Sequence, residues 1–236
     1  MNALLAFAAA LVAFRLAGAL AHRWRRSRRP ELAAWAFSLA AYAVAAAAIA
    51  WGEAAQWDGR AFRVYYAAGA LVTVPLLGTG SLLLAGVRRA GAAGCVVAGL
   101  GIGVALAMPV HGAFAAHGLP PAQDHLAFLP ARLLAILVNS AGTVAVVAVA
   151  IRSLRRRPLG NVLILLGVAA AALGSGLAGL GAGGAAIGIA VGVALLYLGI
   201  TAPNVAYLLP VRKRHADVTE PARQRGTARK TAVDDP

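Results

Sequence analysis

The sequence contains few acidic residues, few lysines and one cysteine. Eight acidic residues stand against 22 lysines and arginines, and both lysines, Lys213 and Lys230, lie near the C-terminus. The single cysteine, Cys95, excludes an internal disulfide and a Cys-x-x-Cys redox or zinc motif. Because the apolar part of the chain has no lysine, no side chain there can form a retinal Schiff base. A photoreceptor of the microbial rhodopsin type is therefore excluded.

The apolar segments also lack carboxylates in their interior. Glu31 and Glu53 fall at segment edges, whereas proton-coupled pumps and antiporters usually carry an acid within the membrane. No nucleotide-binding motif, Ser-His-Asp pattern or carboxylate pair is present, so we predict that the protein is not an enzyme. An enzyme acting on a lipid or an isoprenoid is the weakest class left open, because only the arginines and histidines of the predicted outer side favour it.

What the chain has in abundance is apolar sequence. Hydrophobic residues make up 61% of it, more than a soluble domain of this length normally contains. Seven segments are long and apolar enough to predict membrane-spanning helices. We therefore predict an all-α polytopic membrane protein, with a seven-helix transmembrane domain over 1–210. The seven segments are 2–21, 31–52, 61–86, 90–110, 127–151, 159–180 and 184–208.

The arginines between these segments indicate the topology. Five lie in 22–30, two at 88–89 and four in 152–157, whereas the alternate loops hold only Arg60. By the positive-inside rule, the N-terminus is outside and the C-terminus inside. The composition, rich in Ala, Gly and Arg, is typical of a GC-rich bacterial genome, so the bacterial cytoplasmic membrane is the predicted location. Residues 211–236 are predicted to form a disordered, basic cytoplasmic tail. Short arginine clusters between apolar segments do not indicate nucleic-acid binding.

An internal repeat is a further prediction. An offset of 128 residues aligns Arg28-Arg29-Pro30 with Arg156-Arg157-Pro158, and Thr73-Val74-Pro75 with Thr201-Ala202-Pro203. Three helices, a linker helix and three helices would then form a 3+1+3 parallel repeat, a topology that SWEET-type transporters also have. Their Pro-Gln signature is absent, so the similarity is one of topology. The alternative is that both matches arise from composition.

Polar side chains recur near the middle of several segments, each set on one helix face. If the helices turn these faces inward, the side chains would line one ligand pocket. The alternative is that they only form hydrogen bonds between neighbouring helices. The predicted ligand-binding residues are Tyr42, Arg63, Tyr66, Thr73, Arg132, Asn139, Tyr197, Thr201 and Asn204.

Two arginines lie just inside the predicted outer face, Arg63 and Arg132. A guanidinium group binds oxyanions in a bidentate manner, so these residues could hold an anionic ligand that enters from outside. Pairing with Glu53 or Asp58 is the alternative. Nearby, His111, His117, Asp124 and His125 are the residue types of a zinc site, but their spacing matches no short-range ligand pair. We predict neither a metal nor a cofactor.

Glycines at a spacing of four residues predict helix packing faces. Gly184, Gly188 and Gly192 form such a series in the seventh segment, and Gly99, Gly101 and Gly103 in the fourth segment also predict packing.

Two function classes remain in first place. One is an uncoupled carrier or facilitator for a small polar or anionic solute, and the other is a sensor or accessory subunit that binds a ligand or a partner membrane protein without transport. The expected partners are the lipid bilayer, a small-molecule ligand, and a second copy of the chain or another membrane protein.

Overall fold

Among the residues that the structure describes, seven helices overlap the seven predicted segments. The structure is a computed structural model that describes residues 2–115, 118–155, 158–179 and 185–201, and these residues are all-helical with no strand. Asn204, Pro203 and the predicted tail lie outside the described residues. The helices are α1 (Asn2–Ser27), α2 (Pro30–Ala55), α3 (Gly59–Leu84), α4 (Ala90–Ala107), α5 (Phe128–Arg152), α6 (Pro158–Gly179) and α7 (Ala185–Thr201).

Within the described part of the chain, five helices are long and apolar enough to cross a membrane, namely α1 to α5. Large apolar side chains point away from the protein, as Phe14 (70% exposed) and Leu106 (74% exposed) do. Such surfaces are unfavourable in water and favourable against lipid tails. The fold is therefore compatible with a bilayer environment, as predicted.

Helix α3 lies at the centre of the packing and contacts α2, α4 and α5. Its closest approach is to α5, where Gly78 faces Gly142. A β carbon built on Gly142 would lie 2.6 Å from the Val74 carbonyl oxygen, and one on Gly78 would lie 2.7 Å from the Gly142 α carbon. Glycine at both positions lets the two backbones touch. Helices α6 and α7 also approach closely: a β carbon on Gly167 would lie 2.8 Å from the Gly192 carbonyl oxygen, and one on Gly199 would lie 2.6 Å from the Gly160 carbonyl oxygen.

The packing prediction for Gly99, Gly101 and Gly103 is confirmed for Gly101, but within the described residues it is wrong for Gly99 and Gly103. A β carbon at either position would meet nothing within 4 Å. Helix α4 instead uses Gly94, which faces Thr79, and Gly101, which faces Leu71. These two glycines are seven residues apart and so share one face of the helix, while Gly99 and Gly103 line an open groove.

The sequence predicted a uniform helix for this segment, whereas α3 contains a π-helical stretch. Residues Gly59–Tyr65 are α-helical, Tyr66–Thr73 form a π-helix, and Val74–Leu84 are α-helical again. The π-helix ends just before Pro75, which has no N–H group to donate to the preceding turn. A proline within a helix interrupts the hydrogen-bond ladder at this point, and wider turns of this kind commonly accommodate the interruption.

The two ends of the helical assembly differ in charge. The arginine-rich connections, which include Arg25, Arg88 and Arg152, lie at one end, here called the basic end. The other end is covered by the connection between α4 and α5, residues 108–115 and 118–127, here called the cap. The cap includes a one-turn helix, Ala122–His125.

The predicted repeat finds no counterpart in the packing of the described helices. Helix α1 packs along α2, whereas α5 packs mainly on α3 and touches α6 much less. Pro203, the partner of Pro75 in the proposed alignment, lies outside the described residues. The repeat therefore stays a prediction.

Candidate anion site beneath the cap

Three helices are tied together around the π-helix of α3. The Ser38 hydroxyl of α2 donates to the Thr73 carbonyl oxygen at 2.7 Å. From α5, the Asn139 side-chain amide donates to the Ala70 carbonyl oxygen at 2.6 Å and to its own helix at the Ala135 carbonyl oxygen at 2.8 Å. In a π-helix, residue 75 would donate to residue 70, and Pro75 has no N–H to do so. Asn139 thus satisfies the carbonyl that Pro75 leaves free.

Backbone carbonyls of the protein itself accept hydrogen bonds from several of the predicted ligand-binding side chains. Besides Asn139, the Thr73 hydroxyl donates to the Ala68 carbonyl oxygen at 2.8 Å. Farther along the chain, the Thr201 hydroxyl donates to the Tyr197 carbonyl oxygen at 2.8 Å. The geometry at these positions is that of bonds within and between helices, which was the alternative to a ligand pocket.

Tyr42 differs from the other polar residues at mid-span. It lines an open groove of about 310 Å³ with residues of α1 and α7, among them Val12 and Val193. Tyr42 and Tyr197 both pack against the apolar cluster that includes Leu39 and Leu196. Neither this groove nor the cavity lined by Met108 and Pro130 brings Tyr42, Thr73, Asn139 and Tyr197 together, because Tyr42 is the only one of these four that lines either of them.

The cap is held onto α3 by aromatic packing. Phe62 is fully buried, and its ring lies 5.5 Å from the Phe114 ring and 5.4 Å from the His125 ring, measured between centroids. Tyr66 stacks on Phe62 at 6.0 Å, and its hydroxyl donates to the Ala131 carbonyl oxygen at 3.3 Å. This cluster fixes the cap over the first turns of α3.

Backbone contacts complete the cap. His125 Nδ1 lies 2.9 Å from the His111 carbonyl oxygen, and the His111 N–H donates to the His125 carbonyl oxygen at 3.0 Å. Since a carbonyl oxygen only accepts, Nδ1 of His125 carries the proton. The Gly118 N–H donates to the Glu53 carboxylate at 3.0 Å. His125 therefore fastens the cap, and His117 lies outside the described residues.

Arg63 lies beneath the cap and is half-buried. Its Nη2 atom donates to the Met108 carbonyl oxygen at 3.0 Å, while its Nε atom is buried and has no hydrogen-bond partner among the described residues. The two acids considered as its partners act elsewhere. Asp58 accepts from the Ala61 N–H at 2.7 Å and caps α3, and Glu53 binds the cap.

Within the part of the chain that the structure describes, no carboxylate pairs with Arg63, and the only ion pair joins Arg29 and Glu31. A guanidinium group that is partly removed from water and has no counter-ion is a candidate site for an anion, because an anion would restore part of the lost solvation. Arg63 therefore favours the anion-binding interpretation over the pairing interpretation.

Arg132 lies at the start of α5, on the same end of the molecule. Its guanidinium carbon is 5.7 Å from the centroid of the Phe128 ring, which is within the range of a cation–π contact. Like Arg63, it is half-buried and pairs with no carboxylate among the described residues. Arg132 thus adds a second unneutralised positive charge at the cap end.

Three polar features were missed by the sequence analysis. Glu31 is not simply an edge residue, since it is 6% exposed and accepts from Arg29 Nε at 2.7 Å. Asn161 is 3% exposed and donates to the Ser153 hydroxyl at 3.0 Å. The indole Nε1 of Trp57, in the cap-end cluster, is buried without a partner among the described residues. An acid in the first turn of a helix, directly after a basic cluster, was the available signal for Glu31.

Comparison of the chain with protein-family models, with curated proteins and with solved structures finds no match. The functional interpretation therefore depends on the geometry at the cap end.

Proposed function

We propose that the protein is a seven-span protein of the bacterial cytoplasmic membrane that binds a small anionic ligand beneath the cap, as a membrane sensor or accessory subunit. One observation carries this proposal: Arg63 is a half-buried cation with a single backbone contact, a buried Nε without a partner, and no carboxylate partner in the described residues. The planar fork of N–H donors on a guanidinium group suits a carboxylate or a phosphate.

The interior of the assembly supports binding without transport. The mid-span groups Ser38, Thr73 and Asn139 are committed to backbone carbonyls, and both described cavities are lined almost entirely by apolar residues. A carrier needs a polar path through this region. A sensor needs only the site beneath the cap and a means of altering the helices below it.

The proposed topology places the ligand outside the cell. Arginines concentrate at the basic end, and the positive-inside rule assigns that end to the cytoplasm. In this topology α6 and α7 also cross the membrane, the N-terminus is outside, the C-terminus is inside, and the cap faces the exterior.

The topology can be tested by cysteine labelling in intact cells. In a background in which Cys95 is replaced by serine, a cysteine at Ala113 of the cap should react with a membrane-impermeant maleimide. A cysteine at Ser27 should react only after the cells are permeabilised. The reverse pattern of labelling would place the cap inside and overturn the topology, and so would protection of Ala113 in intact cells with labelling after permeabilisation.

Arg63→Gln should weaken the binding of a simple oxyanion, such as inorganic phosphate or acetate, by about tenfold or more, because a hydrogen bond to a charged group contributes about 1.5–3 kcal/mol. Binding is measured by calorimetry on the purified protein in nanodiscs. Arg60→Gln is the matched control, since Arg60 is exposed in the first turn of the same helix. An equal loss of oxyanion affinity in both variants, or no binding of the oxyanion by the parent protein, would contradict the proposed site.

A carrier is the second candidate, and the π-helix of α3 is the observation that favours it. A helix interrupted at mid-span by Pro75 can bend there and open a path on one side at a time. Uptake of the same oxyanion into proteoliposomes separates the two candidates. Flux that exceeds that of protein-free vesicles and is lost in Arg63→Gln would favour a carrier, whereas binding without flux favours a sensor or accessory subunit.

A further inference from the structure

An open groove lies beside the Arg63 site, between α4 and the start of α5. Its volume is about 470 Å³, and its walls include Gly99, Gly103 and Ala107 of α4, Met108 and Pro109 of the cap, and Pro130. The two glycines create the space, because a β carbon at either would meet nothing within 4 Å. Neighbouring side chains on α4, such as Leu106, are exposed. The groove is therefore an open surface lined by apolar residues.

Two arginines of the cap end, Arg63 and Arg132, are linked to the walls of this groove. Arg63 binds the carbonyl of Met108, a residue of the groove wall. Arg132 follows Pro130, on the opposite wall, by two residues. An apolar groove thus ends near cations that have no carboxylate partner among the described residues.

We propose that the anion bound beneath the cap is amphiphilic: a single alkyl chain lies in the groove and a carboxylate or phosphate head group binds Arg63. This inference rests on the proposed function and names the chemical class of its ligand. Charge complementarity selects the head group, because the cap end offers unneutralised guanidinium groups. The apolar walls select the chain, because burying an alkyl chain there removes it from water.

The groove offers enough space for a single alkyl chain. Its volume lies in the lower half of the range of about 300–1,000 Å³ found for small-molecule sites. A phospholipid would have to place two acyl chains and a glycerol backbone in the same space. A free fatty acid or an alkyl phosphate needs space for one chain only.

The test compares laurate, a twelve-carbon carboxylate, with acetate on the full-length protein in zwitterionic nanodiscs, with empty nanodiscs as the reference. In the parent protein, laurate should bind at least tenfold more tightly than acetate. The leucine side chain in Gly103→Leu should fill the groove, so that laurate binds no more tightly than acetate. Acetate binding and thermal stability should not change. Gly18→Leu is the matched control, since Gly18 is also in a helix and open to the surface, and it should behave as the parent protein.

Arg63→Gln separates failure of this inference from failure of the proposed function. It should weaken the binding of both acetate and laurate. Acetate binding could depend on Arg63 while laurate binds no more tightly than acetate, or binds more tightly even in Gly103→Leu. Either result would contradict the amphiphilic ligand and would leave the proposed anion site supported. If neither ligand responds to Arg63→Gln, both proposals fail, because laurate is then only partitioning into the bilayer. An equal loss of laurate affinity in Gly103→Leu and Gly18→Leu would also contradict binding of the alkyl chain in the groove.

Discussion

Gly142→Ala should separate α3 from α5 and lower the thermal stability of the protein more than any surface substitution. The new β carbon would lie 2.6 Å from the Val74 carbonyl oxygen, and backbone atoms cannot rotate away as a flexible side chain can. Overpacking of this kind typically costs about 1–3 kcal/mol and occasionally more. We expect the upper part of that range, because the contact lies beside the Asn139 bond to Ala70. Thermal aggregation of detergent-purified protein measures the effect.

The control for this prediction is another glycine-to-alanine change in a helix of the same protein. Gly99→Ala adds the same methyl group where nothing lies within 4 Å, and alanine has a higher helix propensity than glycine. It should therefore leave the stability unchanged or raise it slightly. If the two variants melt at the same temperature, the close crossing of α3 and α5 does not stabilise the fold.

Phe62→Ala should loosen the attachment of the cap to α3, which is the second large effect that we expect. Phe62 is fully buried and contacts the rings of Tyr66, Phe114 and His125. Loss of a buried phenylalanine costs about 3–5 kcal/mol, and most of that cost falls on the attachment of residues 108–127. Hydrogen exchange in this connection should become much faster, with little change in α1 and α2.

Phe37→Ala is the matched control, because Phe37 is 62% exposed on α2 and faces away from the protein. It should leave hydrogen exchange in the cap unchanged. Exchange that is equally slow in the parent protein and in Phe62→Ala would show that the backbone bonds of His111 and His125 hold the cap without the aromatic cluster.

Helix positions were predictable because apolar length alone marks them. The segment 61–86 matches α3 (Gly59–Leu84) to within two residues at each end, and the turn after α3 contains Gly86 in a left-handed conformation (φ 90°). Loop charge and apolar length are local properties, so no knowledge of the neighbours is needed to recognise them. This is also why α6 and the described part of α7 overlap predicted segments.

Partners were not predictable, because one helix face does not specify the face that it meets. Asn139 was assigned to a ligand pocket from its position at mid-span, and its partner proved to be the Ala70 carbonyl. The sequence left open whether Arg63 pairs with an acid. That outcome depended on Asp58 capping α3 and on Glu53 binding the cap, and both contacts arise only when the chain is folded.

The π-helix also determines the direction in which Arg63 points. A residue added within an α-helix turns everything beyond it by roughly 100° about the helix axis. The first turns of α3, which carry Arg63 and Phe62, are therefore rotated relative to the Val74–Leu84 portion, compared with an uninterrupted helix. Tyr66–Thr73 thus sets the rotation between the two α-helical parts of α3. This rotation lets the glycine face of Val74–Leu84 contact α5 while the guanidinium group of Arg63 contacts the cap. Removing one residue from this stretch would keep the helix apolar and long enough to span a bilayer, yet it would aim the positive charge away from Met108.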